Sequence, residues 1–216
     1  MSDRADSIYD TARTKKGFRS RQAILAHTSQ LLGDFGPAAV TVSGICEAAK
    51  ISRSAFYNYF TSAEDAVDVM AKNFAENITK QFAKLHQDHP RGIERLAYCL
   101  RFIQETATQD PEWGKLIVQI QQVSPDVEAK LVEQINEEVK AARKTGTITL
   151  STGQVSAFMS MTIATLFRNC QSLALGSASR DVITPSIHLL LRAAGAEETT
   201  AKKAAALPLR TGALSS

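Results

Sequence analysis

Residues 41–60 read TVSGICEAAKISRSAFYNYF, and this stretch decides the fold. Thr41 is a good N-cap for a first short helix whose apolar side carries Val42, Ile45, Ala48 and Ala49. After a turn of about three residues, Ser52 caps a second short helix, Arg53 to Phe60. Two short amphipathic helices so closely joined predict a helix-turn-helix, whose second helix is sized for the DNA major groove.

At about 100° per residue, that second helix places Phe56 and Phe60 on one face, with Ser54 and Asn58 opposite and Ala55 beside them. The phenylalanines are expected inside. Tyr57 and Tyr59 fall on the two flanks, where a phenol can reach a phosphate, although Tyr59 also fits a core-edge aromatic. Arg53, in the first turn, has the paired donors that read guanine O6 and N7, and it can equally serve a phosphate. Ala55 can touch a thymine methyl.

Charge agrees with this placement. Residues 11–60 hold seven basic and two acidic residues, a local net of +5, whereas residues 61–145 hold 11 basic and 14 acidic. A basic segment followed by an acidic one suits a nucleic-acid reader joined to a different partner module, and it also suits a solvated basic tail.

Outward from the centre, every segment reads as helix. Upstream, Ile24, Thr28, Leu31 and Phe35 recur at three- and four-residue steps until Gly36-Pro37 ends the pattern. Downstream, Ser62 with Asp65 opens a long fourth helix to about Leu85, followed by a helix over Gly92–Thr108. Asp110-Pro111 and Ser124-Pro125 start two more, the second closed by Gly146. Ser151 with Gln154 is a capping box for a helix to about Leu175, and a last helix runs from Pro185 to Ala194. Thus the expectation is an all-α chain of about nine helices. Residues 1–17 form a flexible, basic-ended arm, 18–62 a three-helix helix-turn-helix domain, 63–195 a larger helical effector-binding and dimerisation domain, and 196–216 a frayed tail.

The segments TVSGICEAAKIS and SRSAFYNYF, the latter running on through Ser62, Glu64, Asp65 and Ala66, resemble the tetracycline-repressor-like (TetR) family of bacterial regulators. The resemblance implies a homodimer that binds double-stranded DNA at a palindromic operator and acts as a repressor released by a small-molecule effector. It places Thr41 and Ser43 on backbone phosphate, Ser52, Arg53, Ser54 and Ala55 at the groove, and Tyr57, Asn58 and Tyr59 on phosphates. Two positions depart from the family pattern. Lys50 stands where glycine is common in the turn, at a cost of about 1 kcal/mol if the turn is left-handed, offset if its charge meets phosphate. Ala63 replaces a phosphate-binding lysine at the start of helix 4, so affinity should lean more on Arg13 to Arg21. These departures motivate an alternative: a ligand-binding or scaffolding dimer of the same fold without specific DNA recognition.

An effector pocket in a helical bundle needs large apolar side chains and few polar ones. The candidates are Phe74, Phe102, Trp113, Ile117, Gln121, Phe158 and Met161, any of which can equally be ordinary core. Phe167, Arg168, Ile187, Leu190, Leu191 and Ala194, on the last two long helices, are the candidates for a four-helix dimer interface.

Several classes find no support. The three cysteines, Cys46, Cys99 and Cys170, form no close pair, and His86 with His89 lacks a third ligand, so no metal site is expected. There is no glycine-rich nucleotide motif, P-loop or nucleophile elbow, and therefore no enzyme and no cofactor is expected. The uncharged run from Thr145 to Phe167 is interrupted by Thr, Ser, Gln and Gly, so no membrane span is expected. The polar first twenty residues hold no apolar signal segment, and the expected location is the cytoplasm.

Overall fold

The reading head is built from caps and short turns. In the computed structural model, which describes residues 15–88 and 92–209, helix α1 (Lys15–Phe35) ends at Gly36. There φ is +77°, a left-handed backbone that glycine adopts freely, and its N–H donates to the Leu32 carbonyl at 2.9 Å. A 3₁₀ turn, Pro37–Ala39, leads to α2 (Val42–Ala49), where the Thr41 hydroxyl oxygen accepts from the Gly44 N–H at 3.0 Å. Ser52 caps α3 (Arg53–Phe56) in the same way through the Ala55 N–H, at 3.1 Å. The cap residues thus set both the start of each helix and the turn between them.

Helix α3 is shorter than the sequence suggests. Beyond Phe56 the chain tightens, with Asn58 N–H donating to Ala55 and Tyr59 N–H to Phe56, both three residues back. The turn still carries Phe60 inward. Helix α4 (Ala63–Asp88) then begins, with Ser62 Oγ accepting from Asp65 N–H and Asp65 Oδ2 accepting from the N–H and hydroxyl of Thr61. The reciprocal bond of the expected capping box therefore lands one residue early, on Thr61 rather than Ser62.

The body comprises α5 (Ile93–Gln109), α6 (Pro111–Ile120), α7 (Pro125–Lys144), α8 (Thr152–Ala174), α9 (Ile183–Ala193) and α10 (Glu198–Ala205). Among the described residues there are ten α-helices and no strand. Asp110 caps α6 through the Trp113 N–H, and Ser151 with Gln154 forms the capping box of α8. Helix α5 lies at the centre: apart from Glu94, Thr106, Thr108 and Gln109, all its residues are buried. Such all-round burial brings polar side chains inside, and each has a partner. Gln104 accepts from Asn169 Nδ2 at 2.7 Å and from the Ser186 hydroxyl at 3.2 Å, while Glu105 is clamped by both donors of Arg180 at 2.7 and 2.9 Å.

Two corrections to the sequence reading concern the carboxy terminus. Residues 198–205 are not frayed: α10 folds back on α5, buries Ala201, Ala204 and Ala205, and offers the Ala205 carbonyl to the Arg101 guanidinium. The alanines that read as low-complexity tail are the small residues that close packing requires. The final stretch from 210 and the arm up to residue 14 lie outside the described residues, while 15–17 already belong to α1.

The second correction is on α9. Ile187, Leu190, Leu191 and Ala194, expected at a subunit interface, are buried in the protomer's own core against α5 and α10. An apolar stripe shows only that a helix is covered, and here the cover is intramolecular. Asn169 likewise has its partner inside the protomer.

Two hydrophobic cores result, and the boundary between them does not follow the chain. The amino-terminal core joins Ile24, Leu25, Leu32, Ile45, Phe56 and Phe60 to the first half of α4, and it also takes in Leu116 and Ile120 of α6. Gly33 lies against the backbone of α6 at Leu116, and Lys115 Nζ reaches Asp34 Oδ1 at 2.7 Å. Helix α6 is thus shared by head and body. It can sit so deep because of Gly114, where a Cβ would come within 2.8 Å of Ala174 Cβ and 3.0 Å of Ala107 Cβ.

Candidate nucleic-acid interface

The outer face of α2 and α3 presents hydroxyls, one lysine and one arginine. Thr41, Ser43, Lys50, Ser52, Arg53 and Ser54 are all exposed, as are Tyr57 and Asn58, whereas Ala55 and Tyr59 are half-buried. Beneath them Phe56 and Phe60 are wholly buried, with ring centroids 5.7 Å apart. The face is held rigidly by that aromatic layer. Arg21 of α1 stacks over Phe60 at 5.2 Å, fixing a further cation beside it.

Local chemistry leaves these groups ready to donate. The Thr41 and Ser52 oxygens accept from backbone N–H groups, so each hydroxyl proton remains available for an anionic oxygen. Arg53 is already oriented, its Nη2 donating to Ser43 Oγ at 2.5 Å across the two helices. Holding the guanidinium in place reduces the side-chain entropy that a later contact would cost. Neither the spacing nor the composition of the sequence displays this bond.

Lys50 takes the left-handed conformation, with φ 53° and ψ 44°, and is the one non-glycine residue with positive φ among the described residues. Its N–H donates toward the Cys46 and Glu47 carbonyls, closing α2, and Ile51 N–H follows to Cys46 at 3.0 Å. The turn therefore does require the conformation that glycine favours. At the other departure, Ala63 is buried in the amino-terminal core, so a small apolar side chain there serves packing.

The expected effector residues do not converge. Phe102 packs edge-on against Phe82 at 5.8 Å, and Ile117 and Phe158 are core residues. Gln121 donates to the Val118 carbonyl of its own helix end, and Met161 is 53% exposed on α8. Only Phe74 and Trp113 come together, with centroids 5.7 Å apart, on the wall of a cavity between head and body. Of the expected interface residues, Arg168 is exposed and bonded to Gln171, and Phe167 is half-buried against the core. The exposed large apolar side chains of this region are instead Met161, Leu175 and Leu189.

Among the described residues no group of three or more His, Cys, Asp or Glu is arranged to hold a metal. The side chain of His86 and the whole of His89 lie outside the described residues. No described helix is long and apolar enough to cross a membrane.

Residues 24–67 match the bacterial regulatory proteins of the tetR family. No curated protein matches the chain in sequence. Solved structures share the whole architecture. RolR in complex with resorcinol is 21% identical with a TM-score of 0.65, over 92% of this chain and 98% of that one. A TetR family transcription regulator from Marinobacter aquaeolei VT8 is 18% identical with a TM-score of 0.61, over 94% and 98%. FadR from Bacillus subtilis, in complex with stearoyl-CoA, is 13% identical with a TM-score of 0.60, over 86% and 97%. At these identities the likeness is one of fold, and the family match rests on the reading head. The helix-turn-helix segment, residues 24–67, is thus similar to that of the bacterial tetR regulatory proteins, and the chain as a whole shares the fold of these solved structures.

Proposed function

We propose that the chain is a homodimeric repressor that binds a palindromic DNA operator and leaves it when a small molecule binds. The observation that carries this reading is the exposed polar face of α2 and α3, where Arg53 is braced on Ser43 above the buried Phe56–Phe60 layer. Thr41, Ser43, Lys50, Tyr57, Asn58 and Tyr59 would position the head on phosphates, and Ser52, Arg53, Ser54 and Ala55 would face base edges.

Two heads reading successive major grooves must stand about 34–36 Å apart, which requires a dimer. The outer face of α8 and α9, with Met161, Leu175 and Leu189 exposed and Phe167 and Arg168 beside them in sequence on α8, supports pairing there. A ligand that favours a different head spacing then lowers DNA affinity by its differential binding. Both α4 and α6 supply side chains to the head's core, so both can transmit the change. That the RolR and FadR structures hold resorcinol and stearoyl-CoA supports a small-molecule effector as a class and names none for this chain.

The test is fluorescence anisotropy of the purified protein at about 0.15 M salt, on DNA flanking its own gene and on scrambled DNA of equal length. Clear preference for the native segment is expected. Arg53→Ala and Tyr57→Phe should both weaken binding, and only Arg53→Ala should flatten the preference among operator variants. Equal weak binding to all DNA, including a random library, would favour the ligand-binding dimer without specific recognition.

A further inference from the structure

Between the reading head and the body lies a cavity of about 380 Å³, within the range of small-molecule sites. One wall is α1, with Ser29 and Gln30; opposite stand Phe74 of α4 and the start of α6, with Asp110, Glu112 and Trp113. Phe74 and Trp113 are half-buried and inclined at 32°, so their rings form a shallow aromatic corner.

The charge around this corner is negative. Lys115 Nζ donates to Glu112 Oε1 at 2.9 Å and to Asp34 Oδ1 at 2.7 Å, so one ammonium serves two carboxylates, and Asp110 adds a third. The balance of these four groups is −2. The α6 N-terminus carries a partial positive charge, but Asp110 Oδ1 already caps it at 3.0 Å and Glu112 sits in its first turn. An anion would meet carboxylates, and a neutral ring would leave them unused. A cation meets both the ring faces and the excess negative charge.

We propose that this cavity is a binding site for a small organic cation, such as a quaternary or aromatic ammonium. A ligand seated there touches α1 on one side and α4 and α6 on the other, beside the Lys115–Asp34 tie that joins head to body. Occupancy would therefore bias the position of the head. That consequence rests on the regulatory reading, whereas the binding itself does not.

Trp113 is the single tryptophan of the chain, so its emission reports this cavity directly. The full-length protein is titrated, without DNA, with benzyltrimethylammonium and with its uncharged isostere neopentylbenzene. A saturable change is expected for the cation, with affinity roughly tenfold above that for the isostere. Glu112→Gln, at a largely exposed position that leaves folding intact, should weaken the cation about fivefold and leave the isostere unaffected. No saturable change, equal affinity for the two probes, or a cation affinity insensitive to Glu112→Gln would overturn the site. A second titration then follows anisotropy of the protein on its DNA. If the cation saturates Trp113 but leaves DNA affinity unchanged, the site stands and its coupling to the head is overturned. If the protein binds no specific DNA at all, the regulatory reading fails while the fluorescence result stands.

Discussion

Replacing Lys50 with glycine should stabilise the protein and weaken its hold on DNA. The left-handed backbone of Lys50, φ 53° and ψ 44°, costs a side-chain-bearing residue about 1–2 kcal/mol that glycine does not incur. Glycine also makes the unfolded chain more flexible, which returns about 0.4–1 kcal/mol of that gain. The net expectation is stabilisation by about 0.5–1 kcal/mol. In a chain of this size, 1 kcal/mol moves Tm by about 2–4 °C, so thermal unfolding should rise by about 2 °C. The same substitution removes an exposed cation from the proposed DNA face of each protomer, two per dimer, and the slope of log affinity against log salt should fall by about 1.8, about 0.9 for each lysine. Unfolding followed by circular dichroism and anisotropy titrations at several salt concentrations measure the two effects on the same samples. A lowered Tm would refute the strain argument. An unchanged salt slope would refute a phosphate contact for Lys50.

Gly114→Ala should destabilise by about 1–3 kcal/mol in urea, because the new methyl meets Ala174 and Ala107 at 2.8 and 3.0 Å; a neutral result would mean that α6 can lift off its neighbours freely. Arg180→Ala removes both donors that clamp buried Glu105 and leaves it to Arg101 alone, costing about 2 kcal/mol, with Arg180→Lys intermediate because it keeps the charge and loses the fork. Equal stability of the lysine variant and the parent would show that charge alone suffices there. Burial pushes the Cys170 thiol up to about 12 and the Cys99 thiol higher still, so both should resist Ellman's reagent in the native protein and react on unfolding. The same shifts set an alkaline limit. Above about pH 9 the unfolded thiols ionise while the native ones stay protonated, so stability is full below that pH and falls by about 1.4 kcal/mol per pH unit for each thiol as pH rises toward the folded values. Urea midpoints flat from pH 8 to 11 would contradict it.

The reading head was legible because its determinants are local. Thr41 and Ser52 cap the helices they precede, and Phe56 and Phe60 share a buried face through spacing alone, whereas the sequence left the conformation of the turn at Lys50 open. The body was legible in its helix starts, as at Asp110-Pro111 and Ser151–Gln154, but not in what each helix faces. The stripe Ile187, Leu190, Leu191 and Ala194 is identical in pattern whether another subunit or α10 covers it. Likewise, Phe74 and Trp113 lie 39 positions apart in the chain, and only tertiary packing brings their rings together beside α1. The Arg53–Ser43 bond belongs to the same class, since a ten-residue separation across a turn carries no periodic signal.

Leu116 and Ile120, which complete the core around Phe56 and Phe60, are encoded 56 and 60 residues beyond Phe60, the last residue of that motif. The reader is therefore not a detachable module. A chimera that grafts residues 15–88 onto a foreign sensor would leave the seat of these two side chains open to water, and the graft would be soluble only if the recipient supplied a helix of the same shape at that seat. Exchange of specificities within this fold should accordingly transplant α6 together with the head, even though the intervening α5 stays with the host.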